Sequence, residues 1–237
     1  MSVIKIGMIL SVLGAVLLLA GPLGTRVGVW PFVIGFLMLA LSLLLGLVGA
    51  SLALVGGLKT GQWAAAAAGI VVGLAVVSVP SVIVVSARGT PPIHDITTDP
   101  DDPPLFVAIL PLRAGAANPP EYGGAQVADQ QRAAYPDLRP LVLQADAGQA
   151  FDRALAAVRD LGWDVVAQDR ASGRIEAVDT TFWFGFRDDV VVRVRGAAGG
   201  TRIDVRSKSR VGVGDVGTNA RRIRELLRRL EAAAGST

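Results

Sequence analysis

The stretch Asp189-Val190-Val191-Val192-Arg193-Val194-Arg195, a glycine-rich break at Gly196-Ala197-Ala198-Gly199-Gly200, and then Thr201-Arg202-Ile203-Asp204-Val205-Arg206-Ser207-Lys208-Ser209-Arg210 decides the soluble fold. Val190, Val192 and Val194 alternate with Val191, Arg193 and Arg195. Beyond the break, Ile203 and Val205 alternate with Asp204, Arg206 and Lys208. Alternation of period two sends the two sets to opposite faces of a sheet, so the stretch predicts an antiparallel hairpin. One face is apolar and the other carries Arg193, Arg195, Arg206 and Lys208. A register centred on the break sets Arg193 opposite Asp204 and Asp189 opposite Lys208, and such opposite-charge pairs stabilise a sheet by roughly 0.2–1 kcal/mol each. The charged face is then either salt-bridged and solvated, or a basic surface for an anionic ligand, lipid headgroup or partner.

Upstream of the hairpin, Leu141–Leu143 reads as a short strand. Asp146 followed by Gln149 resembles a capping box, and Phe151, Ala154, Leu155, Val158 and Leu161 recur at helical spacing up to Gly162. Trp163–Gln168 and Arg174–Thr180 read as strands around an Arg170–Gly173 turn. A final amphipathic helix, Thr218–Ala234, places Ala220, Ile223, Leu227 and Leu230 on one face. Residues 140–237 therefore predict an α+β domain, an antiparallel sheet with helices on one face. Residues 89–139 differ in kind. Pro-Pro pairs at 91–92, 103–104 and 119–120 mark an acidic Pro/Gly-rich linker or arm, with seven acids against two arginines between Ile93 and Asp137. From Val190 onward the balance reverses to eleven basic residues and four acids, which suggests that the arm lies across a basic module.

Of 23 basic and 20 acidic residues, only Lys5, Arg26 and Lys59 precede residue 88. Residues 1–88 read as a membrane anchor with three spans, Ile6–Leu23, Val29–Leu58 and Trp63–Val85, since a span needs about 20 apolar residues. The first has the charged flank of a signal peptide, but no clean small-x-small site precedes Gly21-Pro22 and two more spans follow. Trp30 and Trp63 suit the headgroup interface, Pro31 suits a first turn and Pro80 is a kink site. Gly69 and Gly73 offer a small-residue stripe for intrachain packing or for a second copy. No ionisable residue sits mid-span, so a proton or ion path has no candidate. Lys5 and Lys59 balance Arg26 and Arg88. The free amino terminus tips the choice to N-in, which puts the soluble domain on the extracytoplasmic side of an inner membrane.

Absence of cysteine excludes disulfides, thiolate zinc sites and cysteine nucleophiles, and one histidine, His94, excludes a multi-histidine metal site. Gly212-Val213-Gly214-Asp215-Val216-Gly217 matches G-x-G-x-x-G, but no second parallel strand follows it to complete a dinucleotide site. What remains is an anion cradle at a helix start, or donors capped by Asp215 itself. His94, Asp95, Asp99, Asp101 and Asp102 cluster without a cation-binding spacing. Asp188 and Asp189 are adjacent on a strand and face opposite ways, so they share no proton site. The arginine-rich last helix lacks the aromatic platform of a nucleic-acid reader and suits anionic lipid better.

His94-Asp95-Ile96-Thr97-Thr98-Asp99 with Pro103-Pro104 and Phe106, then Trp183-Phe184-Gly185-Phe186-Arg187-Asp188-Asp189-Val190-Val191, Asp204–Gly212, and Asp215, Gly217, Asn219 and Arg222-Ile223 resemble the family called domain of unknown function 1499, over about residues 90–232. The resemblance implies a bacterial membrane-associated or exported protein of unassigned role. It also implies a shared polar edge of His94, Asp95, Trp183, Arg187, Asp188, Asp189, Arg206, Ser207, Lys208, Arg210, Asp215, Asn219 and Arg222. The expectation is a non-catalytic binding or assembly module on a bilayer anchored through residues 6–85. It would use the basic face and Gly-rich loop against an anionic ligand, lipid headgroup or envelope partner, with no cofactor, metal or nucleic acid. A tethered hydrolase using His94 with Asp188 or Asp189 is the alternative.

Overall fold

The computed structural model describes residues 1–234; the last three residues of the expected 140–237 domain lie outside them. The chain forms two compact units. One comprises Met1–Gly89 with Phe182–Gly185, and the other comprises Thr90–Thr181 with the chain from Phe186 onward.

The first unit holds α1 (Val3–Arg26), α2 (Phe32–Thr60) and α3 (Trp63–Arg88). All three are long and apolar enough to cross a membrane, with mean hydropathies of 2.5, 2.6 and 2.6. Lipid offers helices no hydrophobic drive to associate, so close approach through small residues takes its place. A Cβ on Gly7 would stand 2.6 Å from both the Gly49 carbonyl and the Ala53 nitrogen, and one on Gly73 would stand 2.6 Å from the Gly46 carbonyl. Ser11 Oγ donates to the Gly69 carbonyl at 2.9 Å. The Gly69/Gly73 stripe is therefore occupied by contacts with α1 and α2. Leu37, Leu44, Val71 and Val82 remain exposed, as lipid-facing side chains would be. Pro80 lies inside α3, which continues to Arg88.

The second unit contains β1 (Asp95–Thr97), a 3-10 turn (Leu110–Arg113), α4 (Gly124–Ala134), β2 (Leu141–Leu143), α5 (Ala147–Asp160), β3 (Asp164–Asp169), β4 (Arg174–Thr180), β5 (Arg187–Ala197), β6 (Gly200–Ser209) and α6 (Thr218–Ala234). It is the expected α+β arrangement. The strands form one antiparallel sheet in the order β1-β6-β5-β4-β3, with β2 also on β6. The β5–β6 register pairs Arg193 with Asp204 and Asp189 with Lys208, as the charge pattern predicts. The break is shorter than expected: Ala197 pairs with Gly200, leaving a two-residue turn. Gly200 is required there, because a Cβ would stand 2.1 Å from the Leu143 carbonyl of the neighbouring strand.

α5 begins where Asp146 accepts from the Gln149 amide at 2.9 Å. Its Phe151 and Val158 join Ile223 and Leu226 of α6 against Val190, Val192, Ile203 and Val205, which makes the main core. On the opposite face Phe106 and Ile109 pack on Val178 and Val191. The segment 89–139, expected as a linker or arm, thus contributes β1, the 3-10 turn and α4 to the same compact unit as the sheet. Its apolar residues explain why: Ile93, Ile96, Phe106 and Ile109 are all buried, and each removes about 1.5–3 kcal/mol worth of apolar side chain from water.

Candidate functional site

Strand parity sorts the predicted site residues onto two faces of the sheet. On the face away from α5 and α6 stand Asp189, Arg206 and Lys208, with Asp95 beside them on β1 opposite Lys208. Asp95 accepts from Arg206 through both carboxylate oxygens, at 2.8 Å each, and from Lys208 Nζ at 2.8 Å. Arg206 also donates to the Pro104 and Pro120 carbonyls, and Lys208 to the Glu121 carbonyl. The Arg206 guanidinium lies over the rings of Phe106 and Tyr122, 4.7 and 5.5 Å from their centroids. Next to this cluster, Asp189 receives Arg210, which also donates to the Leu112 carbonyl, and Arg113, whose other nitrogen reaches the Asn118 carbonyl.

The predicted basic face is therefore not an open surface. Arg206 is 1% and Lys208 2% exposed, because segment 103–121 closes over them and supplies carbonyl acceptors. Burial pushes the Lys208 ammonium below its ordinary value, with Asp95 pulling the other way, and pushes the Tyr122 hydroxyl up to about 12. Further along the face, Glu176 accepts the amides of Val107, Ala108 and Ile109 at 2.9–3.1 Å, so a buried carboxylate holds the entry to the 3-10 turn. Arg193, Arg195 and Arg202 ring Asp99 and Asp204.

On the α6 face Arg222 bonds Asp188 and Asp179, each at 2.7 Å, together with Ser207 and the Asn219 side-chain oxygen. Asn219 returns its amide to Ser209 Oγ and the His94 carbonyl. Burial raises the Asp188 carboxyl above its ordinary value against the pull of Arg222. Asp188 and Asp189 thus face opposite ways, as alternation requires.

The remaining predicted residues lie elsewhere. The His94 ring nitrogen Nδ1 sits 3.1 Å from the Val213 carbonyl. Asp215 accepts from the amides of Gly217 and Asn219 at 2.8 Å each, so its carboxylate takes the donors that an anion would use at the start of α6. Trp183 groups with the helical unit, and Arg187 is exposed. The acidic cluster is consumed by cations: Asp95 and Asp99 as described, Asp101 by Arg132 and Asp102 by Arg195. Among the described residues no group of three His, Cys, Asp or Glu is placed to hold a metal ion.

One open feature has the chemistry of a binding site. A groove of about 420 Å³ is lined by Arg221, Arg222, Arg224 and Arg228 of α6 together with Leu161 and Trp163, and among the described residues its lining acids are Asp179 and Glu225. Arg224 is engaged by Asp137, at 2.6 and 2.8 Å, and Arg228 by Glu225. Arg221 donates to the Val216 carbonyl and Thr218 Oγ1, and no carboxylate pairs with it among the described residues. The sequence signal for this site was faint. Asp179 shares parity with Ile175 and Ala177, which leaves a carboxylate at the end of an apolar face where a basic partner on the covering helix is needed. Arg113, missed altogether, is a lone cation in an apolar run.

The family described as a protein of unknown function, DUF1499, matches residues 95–230, more than half of the chain. No curated protein matches.

Proposed function

This chain belongs to the DUF1499 family, and we propose that it is a membrane-anchored binding module whose α6 groove takes a ligand bearing a phosphate or carboxylate next to an apolar portion. The groove itself carries the reading: four arginines line it beside Trp163 and Leu161, three of them engaged by Asp188, Asp179, Asp137 and Glu225. Planar guanidinium groups suit such anions, and Arg221 is the one whose charge no carboxylate offsets among the described residues. The expected contact through the sheet's basic face and the Gly-rich loop gives way to this one, since Asp95, Asp189 and Asp215 already occupy those donors.

Isothermal calorimetric titration of the full chain in zwitterionic nanodiscs tests the proposal. Inorganic phosphate and a short-chain phosphatidylglycerol separate a free anion from a lipid headgroup. Arg221→Ala should weaken binding at least about tenfold, the size of a lost charge-assisted contact. Unchanged affinity in Arg221→Ala, or no binding of either probe, refutes it.

A second reading has its own support. The buried clusters around Asp95 and Asp189 favour a structural role for most of the polar motif, as an internal ion-pair lattice fastening segment 95–121 to the sheet. The hydrolase alternative has no such support, because the His94 ring turns to Val213 and the two aspartates face apart.

We further place the anchor in an inner membrane with the soluble unit on the extracytoplasmic side. Lys5 and Lys59 stand at one end of the helices and Arg26 and Arg88 at the other, so the positive-inside count is even and labelling must choose the side. The cysteine-free chain allows a direct check. Single cysteines at Ser2 and Ser172 should be labelled by an impermeant maleimide from opposite sides of the membrane, with Ser172 reactive from outside. Labelling of Ser2 from outside reverses the assignment.

A further inference from the structure

Residues Phe182–Gly185 lie between β4 and β5 in sequence yet group with the membrane helices. Within that unit the Phe184 ring stacks on Phe36 near the start of α2, with centroids 4.8 Å apart. Arg26, in the last turn of α1, donates from Nη1 to the Phe182 carbonyl at 2.7 Å, and its guanidinium lies 5.7 Å from the Phe182 ring centroid. A Cβ on Gly185 would stand 3.1 Å from Arg26 Cγ, and one on Gly35 would stand 3.0 Å from the Phe184 ring. Glycines at both positions let the segment seat closely.

Two large rings are left over. Phe182 is 73% and Trp183 52% exposed, and they contact each other edge to face at 5.3 Å. Exposing two adjacent aromatics to water is costly, since Phe and Trp dominate apolar burial wherever they find cover. Their position suggests what covers them. Arg26 closes α1, and Trp30, whose indole donates to the Gly21 carbonyl, sits in the connection to α2. An arginine and a tryptophan at the end of an apolar helix mark the level of the headgroups, where aromatic rings concentrate.

We propose that Phe182 and Trp183 form an interfacial lipid contact, a wedge of two rings entering the boundary between headgroups and acyl chains beside Arg26 and Trp30. This gives Trp183 a role that neither ion-pair cluster nor the α6 groove gives it, and it stands independently of any ligand in that groove.

The test compares the full chain with its Trp183→Phe variant in nanodiscs carrying lipids brominated either near the carbonyl end or at the middle of the acyl chain. Subtracting the two emission signals isolates Trp183 from Trp30, Trp63 and Trp163, and the smaller ring at a position 52% exposed keeps the fold. The isolated emission should be quenched by the carbonyl-end bromolipid at least about twofold more than by the mid-chain one, as a headgroup-level ring requires. Three outcomes overturn the proposal. Quenching by aqueous acrylamide but by neither bromolipid means that the rings stand in water. Protection from all quenchers means that protein covers them. Stronger mid-chain quenching means that they lie in the hydrocarbon core.

Discussion

Replacing Asp95 by asparagine removes one carboxylate from between two buried cations. At 2.8 Å each of Arg206 and Lys208 is attracted to it by about 6 kcal/mol at an effective dielectric of about 20. Most of that gross attraction offsets the cost of stripping the ions of water. What an isolated deletion loses is about 3–5 kcal/mol, because the surviving charges stay buried without a counterion. The Pro104, Pro120 and Glu121 carbonyls and the Phe106 and Tyr122 rings soften the loss, so about 3 kcal/mol is the expectation. Urea unfolding of the full chain in detergent measures it, with hydrogen exchange of the β5 and β6 amides as reporter of the second unit. The same unfolding should respond little to salt, since ions screen buried pairs weakly. A loss below about 1 kcal/mol, the value of an exposed pair, refutes the claim that this cluster fastens segment 95–121. So does an unfolding midpoint that falls steeply with salt.

Asp188→Asn and Asp189→Asn should separate. Asp188→Asn leaves Arg222 with Asp179, Ser207 and Asn219 as partners, so it should cost less than Asp189→Asn, about 1–3 kcal/mol. Asp189→Asn leaves Arg113 and Arg210 facing each other and should cost about 3–5 kcal/mol, read by the same unfolding assay. Acid stability follows from Asp102 and Asp137, held below their ordinary 3.8 by hydrogen bonds from Arg195 and Arg224. Their stabilisation is whole above that value and is lost as pH falls through the folded-state values. An acid titration in the Asp188→Asn background, free of that residue's opposite shift, should show the decline starting near pH 4, and Arg224→Ala should reduce it. Gly7→Val sets a side chain against the backbone of α2; overpacking of about 1–3 kcal/mol should appear as earlier unfolding of the helical unit in sodium dodecyl sulfate. Asp215→Ala uncaps α6 and should cost about 1 kcal/mol in urea unfolding.

Long alternating strands were legible from sequence because period two and cross-strand charge agree, as Arg193 with Asp204 and Asp189 with Lys208 demonstrate. The cap at Asp146 and the extent of α6 were legible for the same reason: side chain and backbone preferences coincide. β1 was not, since three residues are too few for a period and the Pro-Pro pairs around it imitate a linker. The charged face illustrates the deeper limit. Alternation says which residues share a face and is silent on what covers it, so Arg206 and Lys208 read as surface although they belong to an ionic interior. Their cover is recorded only in scattered apolar residues, Phe106 and Ile109, whose partners Val178 and Val191 lie some seventy residues or more away in the chain. The groove depends on Leu161 and Trp163 meeting α6, a tertiary contact with no local signature.

The outer edge of β6 is divided between two short strands, β1 against Arg206–Lys208 and β2 against Thr201–Ile203. Among the described residues neither has another strand to pair with, and β6 follows every other strand of the sheet in the chain. The residues of β1 therefore wait through more than a hundred others before their partners exist, and such long-range closure is slow. During that interval Asp95 has no cation and Ile96 no core. A chain stalled ahead of β6 would hold an acidic, partly apolar strand unsatisfied, the kind of edge that recruits strands from other chains. Completion of β6 closes that edge twice over and ends the exposure in one step.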